Sequence, residues 1–393
     1  MFDKPMHRQV LLLATAQALF QTASVMVMAI GGLAGAAVAS NPQLATLPIA
    51  AMFLGTAVGI VPAATWMSRV GRRTGFLAGA ALGVSGGLLG ALGIWFGLLW
   101  LLAAGTFLVG TYQAFAQFYR FAAGEVADEA FRPRAISLVL AGGVVAALMG
   151  PLLGRWGSGL LGPAYAGSFL LLAGVSVLAL LVLNGLRVPP PPAAASGPGR
   201  PLLAIMRQPA YLVALFGAAT GYGVMVLAMT ATPLAMVQHR HHLSDATLVI
   251  QMHVLGMFVP SFFTGSLIAR FGVLRIMMAG VALLACHVLV SLTGTAFHSF
   301  AGALVLLGVG WNFLFVGGTS LLTTTYTPAE RGRAQAANDL IGFAIGLLAS
   351  LAAAPLLHLL GWQVMNAVLL PWLAAAALAI GGLGWVRWRA AAA

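Results

Sequence analysis

Apolar residues run in long blocks, and the polar residues gather in short gaps between them. The blocks fall at roughly 10–36, 44–67, 74–96, 98–121, 135–155, 164–186, 211–237, 246–269, 273–296, 299–325, 335–358 and 363–386. Each is long enough to cross a bilayer core as a helix, so the pattern predicts twelve transmembrane helices. One gap differs from the others. Val188 is followed by Pro189-Pro190-Pro191-Pro192 and an Ala/Ser/Gly/Pro stretch reaching Pro201. Such a run cannot be helical and predicts an extended linker. It splits the chain into a six-helix half at 1–188, a cytoplasmic linker at 189–208 and a second six-helix half at 209–393.

The charges in the gaps set the orientation. With the N-terminus in the cytoplasm, the outer side keeps only Arg155 and Arg240 of the 19 Lys and Arg residues. That is a strong positive-inside bias and predicts both termini to be cytoplasmic. The loop carrying His239, His241 and His242 then faces outward.

Composition agrees. The chain is 61% hydrophobic and 7% charged, outside the range of soluble domains, and its 49 glycines suit close helix contacts in lipid. The net charge of +12 lies in scattered loops with no contiguous basic face, which argues against nucleic acid as a partner. The single cysteine, Cys286, excludes an internal disulfide and Cys-based zinc or haem sites. The first apolar block is too long for a signal-peptide core and reads as the first membrane helix. No nucleophile–base set or nucleotide loop is visible, so an enzyme is not expected. The lipid bilayer is the expected partner; the sequence names no protein partner.

The halves echo each other. The second block ends in Ser68-Arg69-Val70-Gly71-Arg72-Arg73, and the eighth in Ala269-Arg270-Phe271-Gly272-Val273-Leu274-Arg275. Arg132-Pro133-Arg134-Ala135 precedes the fifth block as Arg331-Gly332-Arg333-Ala334 precedes the eleventh. Paired six-helix repeats are the architecture of secondary transporters that rock about a midplane site. At these residues the chain resembles the major facilitator superfamily. Arg69, Gly71, Arg72 and Arg73 look like its gating loop between helices 2 and 3, with Ser68 where the family usually has aspartate. Gly150-Pro151-x-x-Gly154 is similar to the end of its glycine/proline kink motif. The resemblance implies an all-α fold and a transport function.

Two further motifs carry chemistry. Met225-x-x-x-Met229 and His253-x-x-x-Met257 each place two side chains on one helix face, one turn apart. If the intervening loop starts near Val237 and ends near Ala246, the two helices lie antiparallel. Met229 and His253 then share one depth, and Met225 and Met257 lie about one turn deeper. Three thioethers and an imidazole suit Cu(I). Hard cations need oxygen ligands, and of the seven acidic residues only Asp339 enters an apolar block. Asp339 is therefore a candidate for proton coupling, or a partner for a loop arginine. Composition alone yields about 0.65 of the first motif and about 0.33 of the second. Packing methionines and a structural histidine bonded to a neighbouring carbonyl are the competing explanation.

This motif pair resembles the signature of the CcoA-like copper importers, a branch that also contains riboflavin transporters. The resemblance implies copper as transported substrate, with Met225, Met229, His253 and Met257 as ligands. It implies import across the bacterial cytoplasmic membrane, supplying assembly of cbb-type haem–copper oxidase. His239, His241 and His242 would capture metal at the mouth. The alternative is an organic solute such as riboflavin, held by Tyr112, Phe115, Phe118, Tyr222, Trp311 and Phe315 with Gln113, Gln117 and Asn312.

Overall fold

The computed structural model describes residues 5–128, 131, 135, 138–139, 141–188, 199–327 and 330–392. The chain divides into two compact units, Met1–Ala194 and Ala195–Ala393. The first contains α1 (Pro5–Val38), α2 (Leu47–Val70), α3 (Arg72–Trp95), α4 (Leu99–Ala116), α5 (Tyr119–Val126), α6 (Gly142–Gly157) and α7 (Ala166–Asn184). The second contains α8 (Leu202–Met206), α9 (Pro209–Gln238), α10 (Leu243–Phe258), α11 (Ser261–Phe271), α12 (Val273–Leu292), α13 (Phe297–Leu322), α14 (Arg331–Ala367) and α15 (Leu370–Ala392).

Among the described residues, nine helices are long and apolar enough to cross a membrane, or ten if α10 and α11 form one bent span. The expected eighth helix is thus two helices, bent by 41° at a short break. Pro260 supplies the reason, because it has no N–H to give the preceding turn and its ring crowds that turn. The stretch Arg333–Ala390 counts once among the nine, although Gly361 breaks it with φ 71 and ψ 172. The expected fifth helix is represented by α6, and its start around Arg132 and Arg134 lies outside the described residues. So does the expected linker from 189 to 198; within the remainder, Leu202–Met206 is helical.

The repeat seen in the sequence is also a repeat of backbone conformation. Gly71 alone joins α2 to α3, at φ 86 and ψ 158; Gly272 alone joins α11 to α12, at φ 88 and ψ 149. Only glycine adopts such a conformation without strain. In the first unit the flanking arginines tie this corner to its neighbours. Arg72 makes a forked pair with Glu125 of α5, with Nη2–Oε1 at 2.9 Å and Nε–Oε2 at 3.3 Å. Its guanidinium also lies 5.2 Å from the centre of the Phe118 ring. Arg73 donates to the Asn184 carbonyl and side-chain oxygens at the end of α7, at 2.8 and 2.7 Å. Ser68 turns back onto the Thr65 carbonyl of its own helix at 2.7 Å, and Arg69 is exposed.

Glycine brings the helices close. A Cβ on Gly86 of α3 would lie 2.6 Å from the Gly105 oxygen of α4, and one on Gly87 would lie 2.7 Å from the Ala173 nitrogen of α7. Apolar burial gives helices no preference for each other over lipid, so such backbone approach supplies the packing.

The second unit is knotted at its start. Arg200 donates from its backbone N–H and Nε to Glu330 Oε1, both at 2.8 Å, and from Nη2 to Oε2 at 2.8 Å. The same Nη2 donates to the Thr325 carbonyl at 3.0 Å, and Thr327 N–H donates to Glu330 Oε2 at 2.9 Å. Glu330 is buried. The Arg200 guanidinium first, then the Thr327 N–H, hold its carboxyl far below the ordinary 4.5. A depressed folded-state value means that the stabilisation is present above the ordinary carboxylate range and is lost as pH falls below it. Glu330→Gln is therefore expected to flatten the acid side of the stability profile. Thermal unfolding of purified protein at a series of pH values, from about 6 down to about 2, checks this. Identical slopes for the two proteins would show that the knot contributes nothing.

Candidate functional site

The four residues expected to hold metal all sit in the second unit. Met225 and Met229 lie on α9, His253 and Met257 on α10, and all four are buried. The turn between the helices is short, as expected. The two helices are not chiefly each other's partners, however, since both pack far more extensively on α13. His253 shows this directly. Its Nδ1 donates to the Leu304 carbonyl of α13 at 2.8 Å. That bond fixes the tautomer and leaves Nε2 with a free lone pair, buried and without a hydrogen-bond partner.

α10 can approach α13 because both carry glycine at the crossing. A Cβ on Gly308 would run into the His253 carbonyl and lie 2.9 Å from the Met257 nitrogen. One on Gly256 would lie 3.1 Å from the Val305 oxygen. A second imidazole grips the same turn from the other side. His287 of α12 donates from Nδ1 to the Ala303 carbonyl at 2.9 Å, and its Nε2 lies 3.0 Å from Asn366 Oδ1. His287 was not among the expected site residues, and its one sequence signal is a histidine inside an apolar block.

The histidines of the loop between α9 and α10 have local roles. His241 Nε2 donates to the Thr295 carbonyl at 2.8 Å, and its ring meets Phe300 edge-on at 5.7 Å. His242 caps α10 reciprocally with Asp245. His239 closes α9 through its N–H to the Ala235 carbonyl. Among the described residues, no three His, Cys, Asp or Glu side chains are grouped to hold a metal ion; methionine thioethers lie outside that set. Asp339 is half-buried in α14, accepts from Asn338 Nδ2 at 3.2 Å and lies within electrostatic reach of Tyr211 and Tyr222.

The aromatic residues are arranged differently. In the second unit Trp311 and Phe315 of α13 stack face to face, 4.8 Å apart with 12° between planes. Trp311 Nε1 is buried with no hydrogen-bond partner, and Phe258 meets the same indole at 6.3 Å. Tyr222 meets Phe343 edge-on at 6.2 Å. Asn312, expected as a polar pocket residue, has both amide hydrogens engaged within the protein. Its Nδ2 donates to the Met257 carbonyl and to Ser261 Oγ, and its Oδ1 accepts from Thr264 Oγ1, all at 2.7 Å.

The first unit carries a smaller set. Phe20 of α1 meets Tyr112 of α4 edge-on at 5.1 Å, and Trp66 meets Phe115 at 6.0 Å. Gln17 and Gln21 pair along α1 at 2.8 Å, and Thr56 Oγ1 lies 3.3 Å from Gln113 Oε1. Gln17 and Gln21 were not among the expected site residues, and their sequence signal is polarity inside an apolar helix.

Bundles of long apolar helices in each unit are those of a multi-pass membrane protein. Residues 11–259 match the Major Facilitator Superfamily, and the chain belongs to it. The chain is 43% identical over 369 residues to the riboflavin transporter RfnT of Brucella anthropi, covering 93% of each protein. It is 29% identical to the uncharacterized MFS-type transporter YddS of Bacillus subtilis, covering 83% of this chain and 80% of that one. The fold is shared with a mutant of the nucleoside transporter NupG, at a TM-score of 0.72 and 12% identity over 94% of this chain and 99% of that one. No comparison lends support to the copper-importing branch.

The glycine crossing gives a test of how tightly this region is set. Gly308→Ala is expected to push α10 off α13 and lower stability by about 1–3 kcal/mol, the usual range for overpacking. Thermal unfolding in detergent, compared with Gly302→Ala on the same helix, measures it. A Cβ at Gly302 meets only Val290 Cγ1 at 3.6 Å, an ordinary contact.

Proposed function

We propose that the protein imports riboflavin, or a similarly flat heteroaromatic solute, across the bacterial cytoplasmic membrane by alternating access. In this reading the chain has twelve spans with both termini cytoplasmic, as the positive-inside bias of its loops implies. The observation that carries the proposal is the Trp311–Phe315 stack, taken with the end-to-end similarity to RfnT. A parallel aromatic pair offers a planar face to a planar ligand, and the indole N–H beside it has no partner of its own. Asp339 would carry the coupling proton, being the acidic side chain set within the span Arg333–Ala390.

Uptake of radiolabelled riboflavin by cells expressing the transporter tests this. Trp311→Ala and Phe315→Ala are each expected to raise KM by about two- to tenfold, the size of one aromatic contact. Met225→Leu, Met229→Leu and Met257→Leu should leave uptake near wild type. Asp339→Asn should abolish accumulation against a gradient while leaving counterflow exchange intact. Wild-type cells that accumulate no riboflavin above vector controls would sink the proposal.

One observation favours a second reading, a soft-metal path for copper that would supply haem–copper oxidase assembly. The free lone pair of His253 lies on the helix that also carries Met257, and Met225 and Met229 are buried on the helix before it. His239, His241 and His242 would feed that path from outside. It predicts copper uptake that fails in His253→Ala and Met229→Ala but survives Trp311→Ala, the reverse of the riboflavin pattern.

A further inference from the structure

The bend between α10 and α11 divides one span into two parts that are held very differently. α10 is locked to α13 by the His253–Leu304 bond and by the Gly256–Gly308 crossing. α11 has one buried side chain, Thr264, while Phe262 is 70% exposed and Phe263 47% exposed. It packs only lightly on α12 and α13. Between the parts stand Val259 and Pro260, and the proline interrupts the helical hydrogen bonds at that point.

Asn312 spans this break. One amide hydrogen reaches the Met257 carbonyl before the bend, and the other reaches Ser261 Oγ after it. Its oxygen lies 2.7 Å from the hydroxyl of Thr264, one turn further along α11, which shares its single hydrogen between Asn312 and the Pro260 carbonyl at 2.8 Å. Both donor hydrogens are used, the amide is buried, and three 2.7 Å bonds fix its orientation. Two of its three partners belong to the loosely packed α11. In lipid, a broken helix needs such internal partners, and removing them leaves main-chain groups with nothing to bond. Asn312 also follows Trp311 directly in α13, so the stacked platform and this contact share one helical turn.

We propose that Asn312 is a positioning residue of the transport cycle. It latches α11 onto α13 in the state seen here, and its release lets α11 swing about Pro260. A solute stacking on Trp311 and Phe315 would bias the latch through the turn of α13 they share. The last step rests on the function proposed above; the latch itself does not.

The test uses full-length transporter in liposomes, with Cys286→Ser as background. Spin labels go on Ser266→Cys in α11 and Thr319→Cys in α13, both exposed positions. Distances are read by pulsed electron resonance with and without riboflavin. The wild type should show one dominant distance, and riboflavin should populate a second. Ser261→Ala combined with Thr264→Val cuts the latch on the α11 side and keeps the Asn312 bond to Met257, so it folds even where Asn312→Leu does not. Without any solute it should populate the second distance about fivefold more than wild type, the size of one buried hydrogen bond. Its maximal riboflavin uptake should fall several-fold while KM stays near wild type. A latch-cut protein that keeps the wild-type distance distribution overturns the latch. A latch-cut protein that opens, in a background where riboflavin moves nothing, upholds the latch and removes riboflavin as its trigger.

Discussion

A polar hydrogen inside a bilayer must find its acceptor within the protein, and in this chain that acceptor is repeatedly a main-chain carbonyl of another helix. Thr56 of α2 reaches the Gly110 carbonyl of α4 at 2.9 Å, and Ser168 of α7 reaches the Gly154 carbonyl of α6 at 2.7 Å. In the second unit, Tyr211 of α9 reaches the Ala334 carbonyl at 3.0 Å. His253 and His287 grip the adjacent carbonyls of Leu304 and Ala303 from either side of α13. These bonds act together with glycine, because a side chain this short reaches a neighbour's backbone only where the helices come close. α13 gathers the densest set, with two imidazoles, the Gly308 crossing and the Asn312 contacts within three turns. It is the spine of its unit, and both candidate sites are built on it.

That arrangement narrows what each polar group can do. The Nδ1 proton of His253 is committed to α13, so the ring can serve a ligand only through its Nε2 lone pair. It can accept a hydrogen bond or bind a soft cation, and it cannot do both. Asn312, by contrast, has no donor left to offer a solute, because both of its amide hydrogens already hold the helix break. The sequence treats these two residues alike, as polar side chains in apolar blocks. The structure separates them by which atoms remain free.

Much of the fold was legible because lipid imposes a coarse pattern. Long apolar blocks, arginines in the gaps and a proline run at mid-chain are enough to read helices and two halves. The Arg-x-Gly corners were legible for a sharper reason, since a glycine between two helices implies a backbone conformation that other residues avoid. The break at Pro260 was not read, although the proline stands in plain view. Proline in a membrane helix is tolerated whenever a neighbour repairs the exposed carbonyl. At this break Asn312, more than 50 residues away, takes the Met257 carbonyl, and no local pattern announces it. The same distance hid the Arg200–Glu330 knot, whose arginine was expected to lie in an open linker.

The substrate was the least legible feature, and spacing explains why. Met225/Met229, His253/Met257 and Trp311/Phe315 are all pairs four residues apart, the separation that puts two side chains on one face of any helix. Such a pair arises equally from packing, from a metal path or from a stacking platform. Sequence spacing therefore locates a face without saying what it meets. What distinguishes the pairs is the geometry between their members. Two thioethers on a packed helix need no particular angle to fill space, whereas Trp311 and Phe315 hold a 12° interplanar angle that space filling does not require. The other close ring contacts among the described residues largely meet edge to face, the alternative to the offset stacking that aromatic pairs also favour. A parallel pair beside an unpartnered indole N–H departs from that habit in the direction a flat heteroaromatic ring would use.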